Sequence, residues 1–293
     1  MTSFLESMIA RAKADKQTIV LAEGDDPRTL EAAETILAQD VANLIILGDV
    51  EGIKASGRNL EGAQLIDPRT SELAAEFADT FYELRKNKGM TPEKAAETVK
   101  DVLYFGVMMV KTGRADGMVA GACHATGDVL RPSLQILKTA PGVKLVSSFF
   151  IMVVPNCEYG QDGTFLFSDC GLEIQPDAEK LAHIAVNSAK SWKNLIGTDP
   201  VVAMLSHSTY ASAKNDDQAK VAQAAAIARE LAPELALDGE LQADAAMVPS
   251  VGASKAPDSK VAGHANCLIF PDLDAGNIGY KLVQRLAHAE AFG

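Results

Sequence analysis

The sequence lacks the common signatures of nucleotide binding, of hydrolysis and of membrane insertion. It contains no P-loop G-x-x-x-x-G-K-[ST], no H-E-x-x-H, no G-x-S-x-G and no G-x-G-x-x-G after a strand. No apolar run approaches transmembrane length. The N-terminal stretch MTSFLESMIARAKADK has scattered apolar residues without a continuous apolar core. It predicts an amphipathic helix rather than a signal peptide or membrane anchor.

Positive charge is also scarce, and the cysteines are few. The 293 residues contain 27 Lys and Arg against 39 Asp and Glu, a net charge of -12. This charge argues against nucleic acid or an anionic membrane as the main partner, but it permits a small anion where arginines converge. Cys123, Cys157, Cys170 and Cys267 form no C-x-x-C pair and have no zinc-finger spacing. We therefore expect no metal site and a reducing, cytoplasmic location.

Strand and helix patterns alternate from Thr18 onward, which predicts an α/β fold with mainly parallel sheets. The strands TIVLA, ANLIILG, AQLID and ADGMVAG are separated by helical patterns. Pro27 opens the first of these helices, and two long ones are expected over Ser71–Lys88 and Thr91–Lys111. The first lobe is predicted to span residues 1–142.

The second lobe is predicted to span residues 143–293 and to begin with a hairpin. The turn-rich PNCEYGQDG separates VKLVSSFFIMVV from GTFLFSDCG. Alternation then resumes with a helix over Ala178–Leu195, and the last helix is expected at Ile278–Phe292, returning toward the first lobe. We expect two three-layer α/β lobes with a cleft between them, where ligands of such folds usually bind.

Two arginines are candidates for anion binding in the first lobe. Arg131 follows a strand and the polar segment HATGD, which contains Thr126, and N–H groups at a strand-to-helix junction favour anions. The alternative is a surface arginine paired with Asp128. Arg85 ends a predicted helix, where a basic residue also simply complements the helix dipole.

The second lobe offers polar candidates with more ordinary alternatives. Ser206, Ser208 and Thr209 follow a strand and supply hydroxyl groups, but such clusters are common in loops. Asn277 lies close to Asp272 and Asp274, which could face the cleft or cap the last helix; we expect no Mg²⁺ there. Cys157, in the hairpin turn, is expected to be a non-catalytic thiol.

Five stretches carry a resemblance to a known family. These are FYELRKNKGMT, DGMVAGACHATGDVLRPSLQILKTAPG, VPNCEYGQDGTFLFSDCG, LDGELQADAAMVPSVGASKAP and FPDLDAGNIGYKLVQRLAHAEAFG. Together they resemble phosphate acetyltransferase over the whole chain. The resemblance implies two lobes of the isocitrate/isopropylmalate-dehydrogenase-like kind, a homodimer, and acetyl transfer between coenzyme A and phosphate without a metal or other cofactor.

The resemblance implies that Arg131 and Arg85 hold the anionic substrates. It also implies that Thr126, Ser206, Ser208, Thr209 and Asn277 contribute to substrate binding, and that Cys157 lies near coenzyme A without catalysing the reaction. Three alternatives remain open. They are phosphate butyryltransferase, a non-catalytic module that binds acetyl-CoA or acyl phosphate, and a metal-dependent dehydrogenase of similar fold, for which the sequence lacks a nicotinamide site and an acidic cluster.

Two departures from the family pattern affect these expectations. The family usually has Thr-Lys-Gly-Ser where this chain has Thr209, Tyr210, Ala211 and Ser212. Family members also continue beyond the position of Gly293 into a segment with a Ser-Arg pair and an Asp, the proposed catalytic groups. From this we expect a chain shortened at its C-terminus, with impaired activity.

Overall fold

A computed structural model describes residues 3–293, although the side chain of Ser3 lies outside that description. The chain divides into two compact units, unit 1 ending at Lys138 and unit 2 starting at Thr139. The cleft expected between two lobes stays a prediction, as does the proposed division into residues 1–142 and 143–293. Each unit is described separately below.

Unit 1 alternates strands and helices. Its helices are α1 (Ser3–Ala14), α2 (Pro27–Gln39), α3 (Val50–Ala55), α4 (Leu73–Arg85), α5 (Pro92–Thr98), α6 (Val102–Lys111) and α7 (Thr126–Ile136), and its strands are β1 (Thr18–Leu21), β2 (Asn43–Leu47), β3 (Gln64–Ile66) and β4 (Gly117–Val119). The described strands pair in parallel in the order β3-β2-β1-β4. The parallel sheet predicted for this part of the chain is confirmed.

Helices cover both faces of the unit 1 sheet because neighbouring strand residues point to opposite sides. On one face Val20 and Ile45 pack with Phe77 of α4 and Phe105 of α6. The residues that point to the other face pack against α2 and α3; they include Leu21, Leu44 and Ile46. The unit is therefore a three-layer α/β structure.

Unit 2 mixes a parallel sheet with an antiparallel edge. Its helices are α8 (Ala178–Leu195), α9 (Asp216–Leu231), α10 (Ala243–Met247), α11 (Pro249–Lys255) and α12 (Leu273–Leu286), and its strands are β5 (Phe150–Val153), β6 (Thr164–Ser168), β7 (Val201–Leu205), β8 (Ala236–Leu241), β9 (Cys267–Ile269) and β10 (Glu290–Phe292). The order of the described strands is β10-β5-β6-β9-β7-β8. β5 and β6 form the predicted antiparallel pair, while β6, β9, β7 and β8 are parallel.

The core of unit 2 also follows the alternation of side chains along its strands. Phe165 and Phe167 of β6 pack with Leu268 of β9 on one face, which α10 and α12 help to cover. On the opposite face α8 packs against β6, β7 and β9, and its Trp192 is fully buried. The Trp192 indole N–H donates to the Thr198 hydroxyl at 3.1 Å, so burial leaves that donor satisfied.

Two sequence expectations about helices were wrong. The helix expected over Thr91–Lys111 is interrupted, because the Asp101 carboxylate accepts hydrogen bonds from the backbone of Leu103 and Tyr104 and starts α6 as a new helix. The helix expected to run to Phe292 ends at Leu286. Residues Glu290–Phe292 instead form β10, which pairs antiparallel with β5 at the sheet edge.

Candidate functional site

The two predicted arginines of unit 1 lie around one tyrosine. Tyr104 of α6 packs edge-on against Phe81 of α4, with ring centroids 5.5 Å apart, and its hydroxyl donates to the Gln135 side chain of α7 at 3.2 Å. Arg85 lies one helical turn after Phe81, and Arg131 one turn before Gln135. Because residues four apart share a helix face, both arginines lie on the sides of their helices that meet at Tyr104.

The surroundings of Tyr104 act on its pKa in opposite directions. Burial raises this pKa, whereas the positive charges of Arg131 and Arg85 act in the opposite direction. Both guanidinium groups are therefore close enough to act electrostatically on one phenol. The structure brings together two residues that the sequence separates by more than forty positions.

Neither arginine is fully used by a carboxylate partner. Arg131 and Asp128 approach to 3.5 Å, but their side chains are 63% and 51% exposed, so the pair is weak. Within residues 3–293, no ion pair is formed by the half-buried Arg85. Both guanidinium groups thus keep donors for an external anion. The pairing of Arg131 with Asp128, which was the alternative expectation for this arginine, is present in the structure.

A buried carboxylate fixes the loop that leads into α7. Glu23 follows β1, and its side chain is 2% exposed. One carboxylate oxygen accepts from the backbone N–H of Gly121 and Ala122 at 2.8 and 2.7 Å, and the other from Cys123 and His124 at 3.1 and 3.0 Å. Thr126, the exposed first residue of α7, directly follows this loop.

The environment of Glu23 keeps it ionised. Burial raises its pKa, but hydrogen bonds from the His124 ring and from three backbone N–H groups outweigh burial and lower the pKa to about 2. The His124 Nδ1 atom lies 2.7 Å from the carboxylate. Glu23 was not predicted from the sequence. The feature that could have identified Glu23 is its position: it is an acidic residue that follows a buried strand, at the carboxyl edge of a parallel sheet.

Arg28 ties the start of α2 to the same loop. Its Nε and Nη2 donate to the Asp26 carboxylate at 3.0 and 2.7 Å, and Nη2 also donates to the carbonyl of Ala122. A cavity of about 230 Å³ lies here, with walls that include Leu21 and Val119. Val119 is 61% exposed. The carboxyl edge of this sheet thus presents an apolar depression with an arginine at its rim.

In unit 2, a second buried carboxylate organises the loop after β7. Glu240 accepts hydrogen bonds from the Ser208 hydroxyl at 3.1 Å and from the backbone N–H of Ala211. The Thr209 hydroxyl donates to the Gln242 side chain at 3.3 Å. Ser208 and Thr209 are both buried. Their hydroxyl groups hold this loop in place, while Ser206 at its start is only partly buried.

Tyr210 and Ala211 have defined roles in this loop although they depart from the family pattern. The Tyr210 hydroxyl donates to Asp238, and both residues adopt left-handed backbone conformations with φ of 48° and 59°. Glycine adopts this conformation at the lowest steric cost, which explains a glycine at the position of Ala211. The contacts with Glu240 and Asp238 hold the loop in this shape.

We predict that Glu240→Gln lowers stability in a pH-dependent way. Burial raises the pKa of Glu240, but its hydrogen bonds outweigh burial and lower it. A lowered folded-state pKa means that the stabilisation is present above the unfolded pKa and is lost as pH falls through the folded value. Losing charge-assisted hydrogen bonds should cost about 1.5–3 kcal/mol at pH 7.

Thermal melting at pH 7 and at progressively lower pH measures this effect. The melting temperatures of the wild type and Glu240→Gln should converge as the carboxylate becomes protonated. Glu230→Gln, at an exposed position on α9, is the matched control and should follow the wild type throughout. A difference between Glu240→Gln and wild type that stays constant with pH would exclude the ionised carboxylate as the cause.

Asn277 and its neighbours join α12 to the loop after β6. The Asn277 side-chain amide donates to the Cys170 carbonyl at 3.0 Å. A Cβ atom on Gly276 would lie 2.2 Å from the Asp169 carbonyl, so only glycine permits this close approach. The Asp272 carboxylate accepts from the Ala275 backbone N–H at 2.8 Å and caps α12. The capping alternative for Asp272 is therefore the observed arrangement.

Cys157 lies in the connection between β5 and β6. It is partly buried and packs against the apolar core of unit 2.

Another cavity, of about 420 Å³, is lined by residues of unit 2 that include Lys190, Lys193 and Glu234, and none of the predicted site residues lines it.

Comparisons with known proteins agree with this α/β architecture. A family model described as "Phosphate acetyl/butaryl transferase" matches residues 3–293. A curated phosphate acetyltransferase from Acetivibrio thermocellus is 59% identical to this chain, and the match covers 99% of this chain and 88% of the relative. A curated phosphate acetyltransferase from Thermoanaerobacterium thermosaccharolyticum is 58% identical, and the match covers 99% of this chain and 89% of the relative. A solved phosphotransacetylase from Streptococcus pyogenes is 43% identical, with a TM-score of 0.91 over 100% of this chain and 89% of that one.

The chain is therefore an α/β transferase. It belongs to the phosphate acetyl/butaryl transferase family. The resemblance seen in the sequence and the α/β fold class with mainly parallel sheets are confirmed. No helix within residues 3–293 combines the length and apolarity needed to span a membrane.

Proposed function

We propose that the chain catalyses reversible transfer of an acetyl group between coenzyme A and phosphate, giving acetyl phosphate. The observation that carries this proposal is the placement of Arg85 and Arg131 around Tyr104, in a chain whose relatives at 58–59% identity are phosphate acetyltransferases. Coenzyme A and phosphate are substrates here, and we propose no resident cofactor for the reaction.

The chemistry explains why two arginines are useful. In the direction of acetyl-CoA formation, the coenzyme A thiol loses its proton and its sulfur attacks the carbonyl carbon of acetyl phosphate. A carbon–sulfur bond forms, and the bond from that carbon to the phosphate oxygen breaks. Phosphate leaves with the electron pair of that bond and takes up the proton that the thiol released, so the products are acetyl-CoA and hydrogen phosphate. Guanidinium groups bind phosphate oxygens in a bidentate way and offset the charge that develops as phosphate departs.

We propose the other predicted residues as binding or positioning groups. Thr126 begins α7, five residues before Arg131, and its backbone N–H lies at the helix end that favours anions. Ser208, Thr209 and Asn277 act by holding loops at the carboxyl edge of the unit 2 sheet, and Ser206 is the more accessible hydroxyl. We propose no catalytic role for Cys157.

Acyl-chain preference separates the main proposal from its alternatives. We expect purified chain to form acetyl-CoA from acetyl phosphate and coenzyme A, and to use butyryl phosphate less efficiently. A higher kcat/KM for butyryl phosphate would favour the butyryltransferase alternative, and calorimetric binding of acetyl-CoA without turnover would favour the non-catalytic module. The names of the relatives favour neither alternative.

We also propose a homodimer, supported by an exposed apolar stripe on α12. Ile278, Leu282 and Leu286 are 57%, 53% and 77% exposed and lie four residues apart, which places them on one helix face. We call these residues the α12 stripe. Such a face is costly to leave in water, and a second copy of the chain is the occupant we propose.

Leu282→Glu should weaken this dimer by at least about tenfold, because a charge would be buried at the contact. Light scattering during size-exclusion chromatography over a range of concentrations measures the change. Leu231→Glu on α9, where the leucine is 46% exposed, is the control and should leave the mass unchanged. A dimer of Leu282→Glu as stable as the wild type would place the interface elsewhere.

We propose a cytoplasmic location. All four cysteines are free thiols, the form that a reducing compartment maintains.

A further inference from the structure

Three side chains with metal-binding atoms meet at the carboxyl edge of the unit 1 sheet. Glu23, Cys123 and His124 each place a ligand-type atom within 4.8 Å of the other two. The Cys123 Sγ atom lies 3.5 Å from Glu23 Oε1 and 3.7 Å from His124 Nδ1, and Nδ1 lies 2.7 Å from the same oxygen. Neither the reaction described above nor the comparisons assign a role to this cluster.

These spacings resemble those of a tetrahedral zinc site. Zinc bonds of about 2.3 Å to sulfur and about 2.0 Å to nitrogen or oxygen separate tetrahedral ligands by about 3.3–3.6 Å. The two distances from Cys123 Sγ are close to this range. The distance between His124 Nδ1 and Glu23 is shorter because a proton now lies between them, and the ring would move outward by about 0.6 Å to admit a cation.

We propose that Glu23, Cys123 and His124 bind a thiophilic divalent cation of the Zn²⁺ type, with water as the fourth ligand. Thiolate, imidazole and carboxylate are the ligands that zinc uses in proteins. Cys123 is exposed and the His124 side chain is 32% exposed, so a cation and its water can reach the cluster from solvent.

Proton balance accompanies this binding. The Cys123 thiol now donates to Glu23 Oε1 and would release its proton to solvent on forming the metal–sulfur bond. The imidazole would bind as the neutral ring, with Nδ1 on the cation and its proton carried on Nε2. No electrons are transferred, and no further reactant is needed.

The surrounding backbone holds the ligands ready. The N–H groups of Gly121 and Ala122 donate to the second oxygen of Glu23, Oε2. These two hydrogen bonds need not break when a cation binds at Oε1. The N–H groups of Cys123 and His124 donate to Oε1 at 3.1 and 3.0 Å, so this oxygen would keep two backbone donors beside the cation. The loop is therefore shaped around the carboxylate before any cation arrives, which lowers the ordering cost of binding.

Titration of the reduced, metal-free chain with Co²⁺ tests the proposal. Cobalt bound by a thiolate in a tetrahedral site shows intense visible bands and a sulfur-to-metal charge-transfer band in the near ultraviolet. We expect these bands to saturate at one Co²⁺ per chain and to disappear on adding Zn²⁺. Cys123→Ser should abolish the charge-transfer band, and His124→Gln should weaken binding by at least about 10–100-fold, the range that loss of even a supporting residue produces.

Cys157→Ser is the matched control, because it removes another thiol that is not fully buried, and it should bind Co²⁺ like the wild type. Circular dichroism melts confirm that each variant is folded; Cys123→Ser changes a single atom at an exposed position. The proposal is wrong if the wild type shows no charge-transfer band, or if the band persists in Cys123→Ser and vanishes in Cys157→Ser.

Discussion

Arg131→Ala should lower kcat/KM for acetyl phosphate by about 10²–10³-fold, the range found when one preorganised donor to a developing negative charge is removed. The reason is the loss of a guanidinium group that would hold the phosphate and offset its charge. Stability should change by less than about 1 kcal/mol, because Arg131 is 63% exposed and its pair with Asp128 is weak. A coupled assay of acetyl-CoA formation and a thermal melt measure the two effects.

Arg85→Ala should produce a loss of the same order, because both guanidinium groups act on the same region around Tyr104. Arg58→Ala is the matched control. Its guanidinium is also in unit 1 but already contacts Glu31 and Glu34, so the variant should retain wild-type kinetics. Full activity in Arg131→Ala would remove the arginine from the mechanism, and an equal loss in Arg58→Ala would reveal an effect on folding instead.

Glu23→Gln should lower the free energy of unfolding by about 2–4 kcal/mol, more than any other substitution considered. The amide keeps the size of the side chain but loses its charge, and its NH₂ group would face N–H donors of residues 121–124. Each hydrogen bond to a charged group contributes about 1.5–3 kcal/mol, and a buried donor left without an acceptor adds a penalty. Chemical denaturation followed by circular dichroism measures the difference.

Glu76→Gln is the control for this substitution. The Glu76 side chain is 50% exposed and pairs with Arg114 at 2.7 Å, and such exposed pairs contribute about 0–1 kcal/mol. If Glu23→Gln were no more destabilising than Glu76→Gln, the loop before α7 would be held by something other than the carboxylate. The comparison separates a buried carboxylate with several donors from an ordinary surface pair.

Much of the fold is predictable because local signals agree with the tertiary structure. Pro27 begins α2, and the apolar pattern predicted α8 with its observed bounds, Ala178–Leu195. The interruption before α6 was missed, because Asp101 starts a new helix inside an otherwise continuous helical pattern. β10 was missed because a three-residue edge strand depends on pairing with β5, and no local pattern reveals that partner.

The candidate site was only partly predictable for a related reason. Arg131 was a candidate from its position after a strand, and Arg85 was assigned to the site only through the family resemblance. Their common neighbour Tyr104 lies on a third helix and had no signal of its own. Glu23 and Cys123 are 100 residues apart, so their hydrogen bonds exist only once β1 and β4 pair. Metal-binding motifs are recognised by the spacing of ligands within a short segment of sequence, so such motifs could not reveal a cluster whose members lie 100 residues apart.

The most direct measurement is the phosphate dependence of acetyl-CoA cleavage by the wild type and by Arg85→Ala/Arg131→Ala, at equal folded concentrations. The wild type should release coenzyme A only when phosphate is present, with a rate that saturates as phosphate increases. The double variant should remain folded and lose this saturation over the same concentrations. A double variant with the phosphate KM and kcat of the wild type would contradict the anion site formed by the two arginines.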